Sequence, residues 1–181
     1  MAGIIFSLVV YQRMISIEKA ALYIVAQVIG AICGACYARL VSNWDLYDAG
    51  GKGVNHVLDG HALWQALLAE ILATAFLVTV VLNTSYAATK LYGHAPIAIG
   101  GAVLVCHLAL LPLDGCSINV ARSLGTAVAS GSNDRKQWTH IWVFIVGPLL
   151  GGVLAGLNPL WVDRTLEPTT HVPAPAPALT A

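Results

Sequence analysis

The sequence predicts an all-α membrane protein: a bundle of spanning helices with one short half-helix that re-enters without crossing. Three observations predict it. Hydrophobic residues make up 57% of the 181 positions and charged residues 10%, with a mean hydropathy of +0.75; a soluble domain carries about 25% charged residues. No Asp, Glu, Lys or Arg lies between Lys19 and Arg39, between Glu70 and Lys90, between Lys90 and Asp114, or between Lys136 and Asp163. Each gap is long enough for a helix to cross hydrocarbon, which takes roughly 20 residues. These runs do not alternate in polarity, so barrel strands of about 10 residues are not expected. The remaining way to satisfy backbone groups in lipid is the helix.

The elements follow in order. Residues 1–11 form an apolar stretch too short to span, and they lack the basic leading region and cleavage site of a signal peptide. Gln12, Arg13, Ser16, Glu18 and Lys19 break it. Residues 20–41 read as the first complete span. Residues 42–60 read as a polar loop with turn signals at Asp48–Gly53 and Asp59–Gly60. Residues 62–82 form the second span and 83–93 a polar connector. Residues 95–113 form the third span, with Pro96 in its first turn, where proline is tolerated. A short apolar segment lies inside the polar stretch 114–136, and residues 119–129 of it read as the half-helix. Residues 137–162 form the last span. The transmembrane domain is thus 1–162, and the Pro/Ala-rich tail 163–181 reads as disordered. Arg13, Lys19, Lys90 and Arg164 fall on one side, and Arg39, Lys52, Arg135 and Lys136 on the other. The positive-inside rule sets orientation from an imbalance of basic residues, and this even split offers none.

Composition excludes several functions. Nine basic and nine acidic residues cancel and are spread out, so no patch draws nucleic acid. The four cysteines, Cys33, Cys36, Cys106 and Cys116, lie in or beside apolar segments and do not form a secreted disulfide framework. Cys33-Gly34-Ala35-Cys36 has a redox spacing, but a redox thiol needs exposure and activation, and packing inside the span is the expected role. No nucleophile–base pair or HExxH helix stands in the sequence. The reading is of a non-enzyme with no metal and no cofactor.

The segment with chemical content is Asp114-Gly115-Cys116-Ser117-Ile118-Asn119-Val120-Ala121-Arg122-Ser123-Leu124-Gly125-Thr126-Ala127. It joins a turn, an Asn at a helix N-cap and an Arg in the first helical turn. A half-helix at membrane depth is tolerated only where it packs in protein or lines a cavity. Its N-terminus carries the positive end of the helix dipole, and Arg122 adds a full charge. Such a site favours water oxygens and repels cations. The same pattern also describes an extramembrane amphipathic turn with a solvated arginine.

This segment resembles the second signature loop of the aquaporin (major intrinsic protein) family, Gly-x-x-x-Asn-Pro-Ala-Arg-Ser-x-Gly-x-Ala. It runs here from Gly115 to Ala127, with Asn119, Val120 and Ala121 at the Asn-Pro-Ala positions and Val120 in place of Pro. The likeness continues outward. Ile15-Ser16, Tyr23-Ile24-Val25-Ala26-Gln27 and Gly30-Ala31-Ile32 resemble the family's third helix. Ala69-Glu70-Ile71 with Thr74-Ala75-Phe76-Leu77-Val78 resembles the fourth. Ala98-Ile99-Gly100, His107-Leu108 and Pro112-Leu113 resemble the fifth, and Trp142, Phe144 and Val146-Gly147-Pro148 the sixth.

The resemblance implies a passive water channel in which water passes single file through a selectivity filter. His107, Cys116 and Arg122 match three filter positions, and the fourth would fall before Met1. His107 on an apolar helix also reads as a packed histidine. Cys116 reads either as a pore-facing thiol open to thiol reagents or as a buried small residue. Asn119 would offer amide hydrogens to water at the pore centre. Glu70 would be a buried carboxylate that braces loop backbone. Ser123 and Ala127 are of the water-conducting type, Phe144 agrees with it, and Ile145 departs from it. Partners implied are water or another small neutral solute such as glycerol, the lipid bilayer and a homotetramer. The family has six spans and two half-helices from inverted repeats. The aquaporin-like bundle here is expected to lack the first two transmembrane helices, with Met1-Ala2-Gly3 where the first Asn-Pro-Ala motif would stand. The alternative function is then a non-conducting fragment or interfering subunit.

Overall fold

The computed structural model describes residues 15–85, 94–131 and 135–157. The apolar stretch 1–11, most of the connector 83–93 and the tail 163–181 lie outside the described residues. Among those described there is no strand. Six α-helices follow one another: α1 (Ile17–Val41), α2 (Trp44–Ala49), α3 (Leu63–Ser85), α4 (Ala95–Asp114), α5 (Val120–Ala129) and α6 (Arg135–Gly156). Four of these, α1, α3, α4 and α6, are long and apolar enough to cross a membrane. They fall on the four charge-free runs, and the protein is an integral, multi-pass membrane protein.

The helix ends have local causes. Ser16 caps α1, its hydroxyl accepting from Lys19 N at 3.4 Å. The start at Ile17 lies ahead of the expected Ala20, because the cap and first turn tolerate Glu18 and Lys19. The stretch 42–60 is more structured than a polar loop. Asn43 Oδ1 accepts from Asp45 N and Leu46 N at 2.9 and 3.3 Å and starts the short helix α2, and a 3-10 turn follows at Gly51–Gly53. Asn is a strong cap whatever follows it, and the Asp/Gly signals after it end the helix rather than exclude it. Gly115, with φ 81°, ends α4 in the left-handed region, and its N–H returns to Leu111 O at 3.2 Å.

Helix α6 is the centre of the bundle and α1 its periphery: 44% of the apolar stretch of α6 is buried, against 6% for α1. The α3–α6 crossing is close because α6 presents glycines. A Cβ on Gly151 would sit 2.5 Å from Ile71 O and 2.7 Å from Thr74 Cβ, and one on Gly147 would sit 2.7 Å from Glu70 Cβ. Without a hydrophobic drive between helices in lipid, small residues that admit backbone contact hold such pairs together. Val57, Ala66, Val143 and Phe144 pack as one buried cluster beside this crossing. Cys33 and Cys36, expected to pack within the span, are instead exposed on α1. Among the described residues that helix packs mainly on α5, so much of its circumference meets no described protein neighbour.

Gly151→Ala is expected to destabilise the bundle by about 1–3 kcal/mol, because backbone atoms block the new methyl group. Gly100→Ala, with nothing within 4 Å of its Cβ, is expected to be neutral. Thermal unfolding of the two variants in one detergent checks the contrast.

Candidate functional site

The loop between α4 and α5 adopts a backbone that side chains disfavour. Cys116 has φ 52° and Ile118 φ 45°. A left-handed conformation costs an L-residue roughly 1–2 kcal/mol, and a β-branched residue is a marked outlier there. Three consecutive N–H groups are in return drawn to two carboxylates. Cys116 N donates to Asp114 Oδ1 at 2.9 Å, Ser117 N to Glu70 Oε1 at 2.6 Å and Ile118 N to Glu70 Oε2 at 2.7 Å. Glu70 and Asp114 are both fully buried. Hydrogen bonds to a charged group contribute about 1.5–3 kcal/mol each, so Glu70 alone outweighs the strain. Each trans peptide that turns its N–H toward these carboxylates turns its carbonyl the opposite way. The carbonyls of Gly115, Cys116 and Ser117 therefore point away from the carboxylates.

The half-helix α5 follows, with side-chain partners at both ends. Asn119 caps it, its Oδ1 accepting from Ala121 N at 3.1 Å, and Val120 takes the first helical position. The Asn119 amide nitrogen has no partner among the described residues. At the other end, Arg39 Nη1 donates to Ala129 O at 3.0 Å and Gln137 Nε2 to Ala127 O at 2.8 Å. A cation at a helix C-terminus also suits the dipole. Helix α1 reaches α5 at Gly125, where a Cβ would lie 2.6 Å from the Ala31 backbone.

Between α1 and α5 lies an open groove of about 400 Å³, lined by Gln27, Ala31, Ala35, Asn119, Ala121, Arg122 and Thr126. Arg122 is half-buried in it and does not swing freely. Its Nη1 donates to Asn55 Oδ1, and its Nη2 lies 3.5 Å from Gly115 O. Asn55 is 2% exposed and is bound on three sides. It accepts from Ser123 Oγ at 2.7 Å as well as from Arg122, and its Nδ2 donates to Asp114 O at 3.3 Å. Asn55 is a site residue that sequence reasoning missed. An Asn in a Gly-rich loop reads as a turn former, and nothing local signals a partner 67 positions away.

The structure brings Asn119, Ala121 and Arg122 together in the groove. The other candidates lie elsewhere. His107 is half-buried on α4, outside the residues lining the groove, and its Nδ1 lies 2.8 Å from Val103 O. A carbonyl only accepts, so Nδ1 carries the proton and Nε2 of the neutral ring is left as an acceptor. The Cys116 side chain is fully buried among Ala73, Cys106, Leu110 and Ile118. Ser123 is buried, its Oγ 2.5 Å from Ser117 Oγ, and Ala127 is buried in α5. Phe144 is buried in the α6 cluster, with Ile145 partly exposed beside it. No group of three metal-ligating side chains occurs among the described residues.

The family model for the major intrinsic protein matches residues 3–158. The chain is 39% identical over 158 residues to a probable aquaporin PIP2-8 of Oryza sativa subsp. japonica, covering 84% of this chain and 56% of that protein. It is 40% identical over 157 residues to aquaporin PIP2-1 of Arabidopsis thaliana, and 42% identical over 159 to aquaporin PIP2-4 of Zea mays. Each covers 84% of this chain and 54% of the relative. The chain thus spans about half the length of the relatives it matches. On the family match and the helical membrane fold together, the chain belongs to the major intrinsic protein family.

Proposed function

We propose that this chain supplies one wall of a passive water pathway, and that the groove between α1 and α5 is the lumen side of that wall. One observation carries the reading. Asn119 and Arg122 stand in the first turn of a half-helix whose N-terminus faces the groove, and Arg122 is fixed there by Asn55 and Gly115. Two kinds of donor then meet a passing water, the free Asn119 amide and the Arg122 guanidinium. The loop carbonyls turned away from Glu70 supply acceptors. A water held by donors at one step and acceptors at the next passes from partner to partner without losing its hydrogen bonds. The positive helix end and the guanidinium repel cations along the same path.

Within this reading Glu70 is the brace of the loop, and Arg122 is the charged filter residue. His107 lies on α4 outside the groove lining, and its place in the filter rests on the family resemblance. Cys116 contributes its carbonyl rather than its thiol, because the thiol is buried. Ser123 acts through Asn55, and the buried Ala127 keeps α5 close to its neighbours. Water is the solute in this reading, and glycerol the alternative that a displaced Arg122 would admit. Relatives named as aquaporins support water as the solute, and a homotetramer is the assembly the family resemblance suggests.

A second reading is favoured by the low burial of α1. Among the described residues the groove is lined by α1 and by α5 with its cap Asn119, and a subunit with an open groove occupies membrane without conducting. Osmotic shrinkage of liposomes carrying the chain separates the two: a rate above that of empty liposomes is expected for the channel, and an equal rate would sink conduction by this polypeptide.

Two variants test the roles. Asn55→Ala leaves the Arg122 and Ser123 donors without their acceptor, at about 1–3 kcal/mol, and is expected to lower the melting temperature and raise glycerol uptake relative to water. Glu70→Gln retains one acceptor oxygen and puts an amide donor where the other stood, so it is expected to cost about 2–4 kcal/mol. A Glu70→Gln protein that melts with the parent would remove Glu70 as the brace.

A further inference from the structure

Residues 54–59 form a strap that ties three helices together around Arg122. Leu58 N donates to Leu113 O on α4 at 3.0 Å. Asn55 binds Asp114 O, Ser123 and Arg122. Val57 N donates to His140 Nδ1 on α6 at 3.1 Å. This last contact differs in kind from the others, because its acceptor is a titratable ring nitrogen. Nδ1 accepts only while the ring is neutral with its proton on Nε2. Protonation places an N–H on Nδ1, opposite the Val57 N–H, and the hydrogen bond becomes a donor–donor contact. Val57 is 3% exposed, so its N–H has no ready access to water in exchange.

We infer that His140 is a positioning residue for Arg122, and that protonating its imidazole loosens the strap that holds the guanidinium. The inference rests on Arg122 being the filter residue and adds a control to that site. The route is short: His140 holds Val57, and Asn55 two residues earlier holds Arg122. The elements around it carry the following charged and titratable groups. Lys136 lies one turn earlier on α6 and pairs with Asp59 of the strap at 2.6 Å. Its hydrogen bond and charge hold the exposed Asp59 carboxyl below its ordinary value. His56 adjoins Val57 in the strap. Helix α3, packed along α6, contributes Glu70 at the level of Gly147, and α5 contributes Arg122. The Lys136–Asp59 pair is exposed and contributes little to holding the strap, so His140 is the link through which acid acts.

The test measures amide hydrogen exchange of residues 54–58 in the full chain in lipid nanodiscs, as protection relative to intrinsic rates. From about pH 7.5 to about pH 5, across the ordinary imidazole range, the parent is expected to lose about tenfold in protection. His140→Asn puts a non-titrating carbonyl oxygen where Nδ1 stood, and is expected to keep protection at both pH values. His140→Ala is expected to be unprotected at both. An unchanged parent, or an equal acid loss in His140→Asn, would overturn the inference. Osmotic shrinkage run in parallel separates it from the filter reading. An acid-labile strap with no water flux at any pH would remove the filter assignment and leave the His140 link standing. Flux that falls with acid in the parent and stays constant in His140→Asn supports both.

Discussion

The bidentate grip of the Glu70 carboxylate on the N–H groups of Ser117 and Ile118 is the interaction on which the rest of the site depends. It is made inside the bundle, where an unpartnered carboxylate would be costly and where two unpartnered amides would each lose a few kcal/mol. Both problems are solved by one contact. The contact in turn forces Cys116 and Ile118 into the left-handed region and aims the loop carbonyls outward. It also explains a packing detail. Glu70 reaches the loop from a helix that α6 crosses closely, and Gly147 leaves room for its Cβ.

A half-helix among apolar spans faces a constraint that a surface helix does not: eight terminal backbone groups need partners without bulk water. In α5 the side-chain partners are four residues, two from other helices and two that flank it. Asn119 caps the start, while Arg39 of α1 and Gln137 of α6 take carbonyls at the end. The hydroxyl of Ser130, just past the helix, binds Ala127 O at 2.9 Å. Arg39 also lies over the Trp44 ring, 5.2 Å from its centroid, so the side chain that closes α5 is itself steadied by α2. The short helix is therefore held in place by its ends, and its N-terminal dipole and Arg122 keep a fixed direction toward the groove.

The strap gives the site its third dimension. Arg122 would otherwise be a long flexible side chain beside a groove, free to fold back onto the loop carbonyls. Asn55 uses both ends of its amide, its oxygen for Arg122 and Ser123 and its nitrogen for the α4 terminus. A backbone segment outside the spans thus sets the position of a charge inside them. This coupling makes the strap a natural place for control, because among the described residues Val57 alone packs it against α3 and α6 and the contacts that set Asn55 and Arg122 are single hydrogen bonds.

Much of the fold was legible because membrane insertion is a constraint on composition. A charge within a span is expensive, so the gaps between Lys19 and Arg39, or Lys136 and Asp163, mark helices without any knowledge of packing. The half-helix was legible for a similar reason: Asn119, Arg122 and a short apolar run form a local pattern of cap, charge and length. The helix α2 was not, since six residues carry too little periodicity to separate a helix from a turn. Nor was the outward placement of Cys33 and Cys36, because an apolar span looks the same from every side until its neighbours are known. By itself the sequence determined the spans, the re-entrant segment and the chemical types at its tip, since these follow from local hydropathy and capping. Only the tertiary structure decided that Glu70 meets Ser117 and Ile118, that the Cys116 thiol is buried, and that Asn55 holds Arg122 of the half-helix while His140 holds the strap at Val57. Those contacts join residues tens of positions apart, and a hydrogen bond between them leaves no periodic trace in the chain.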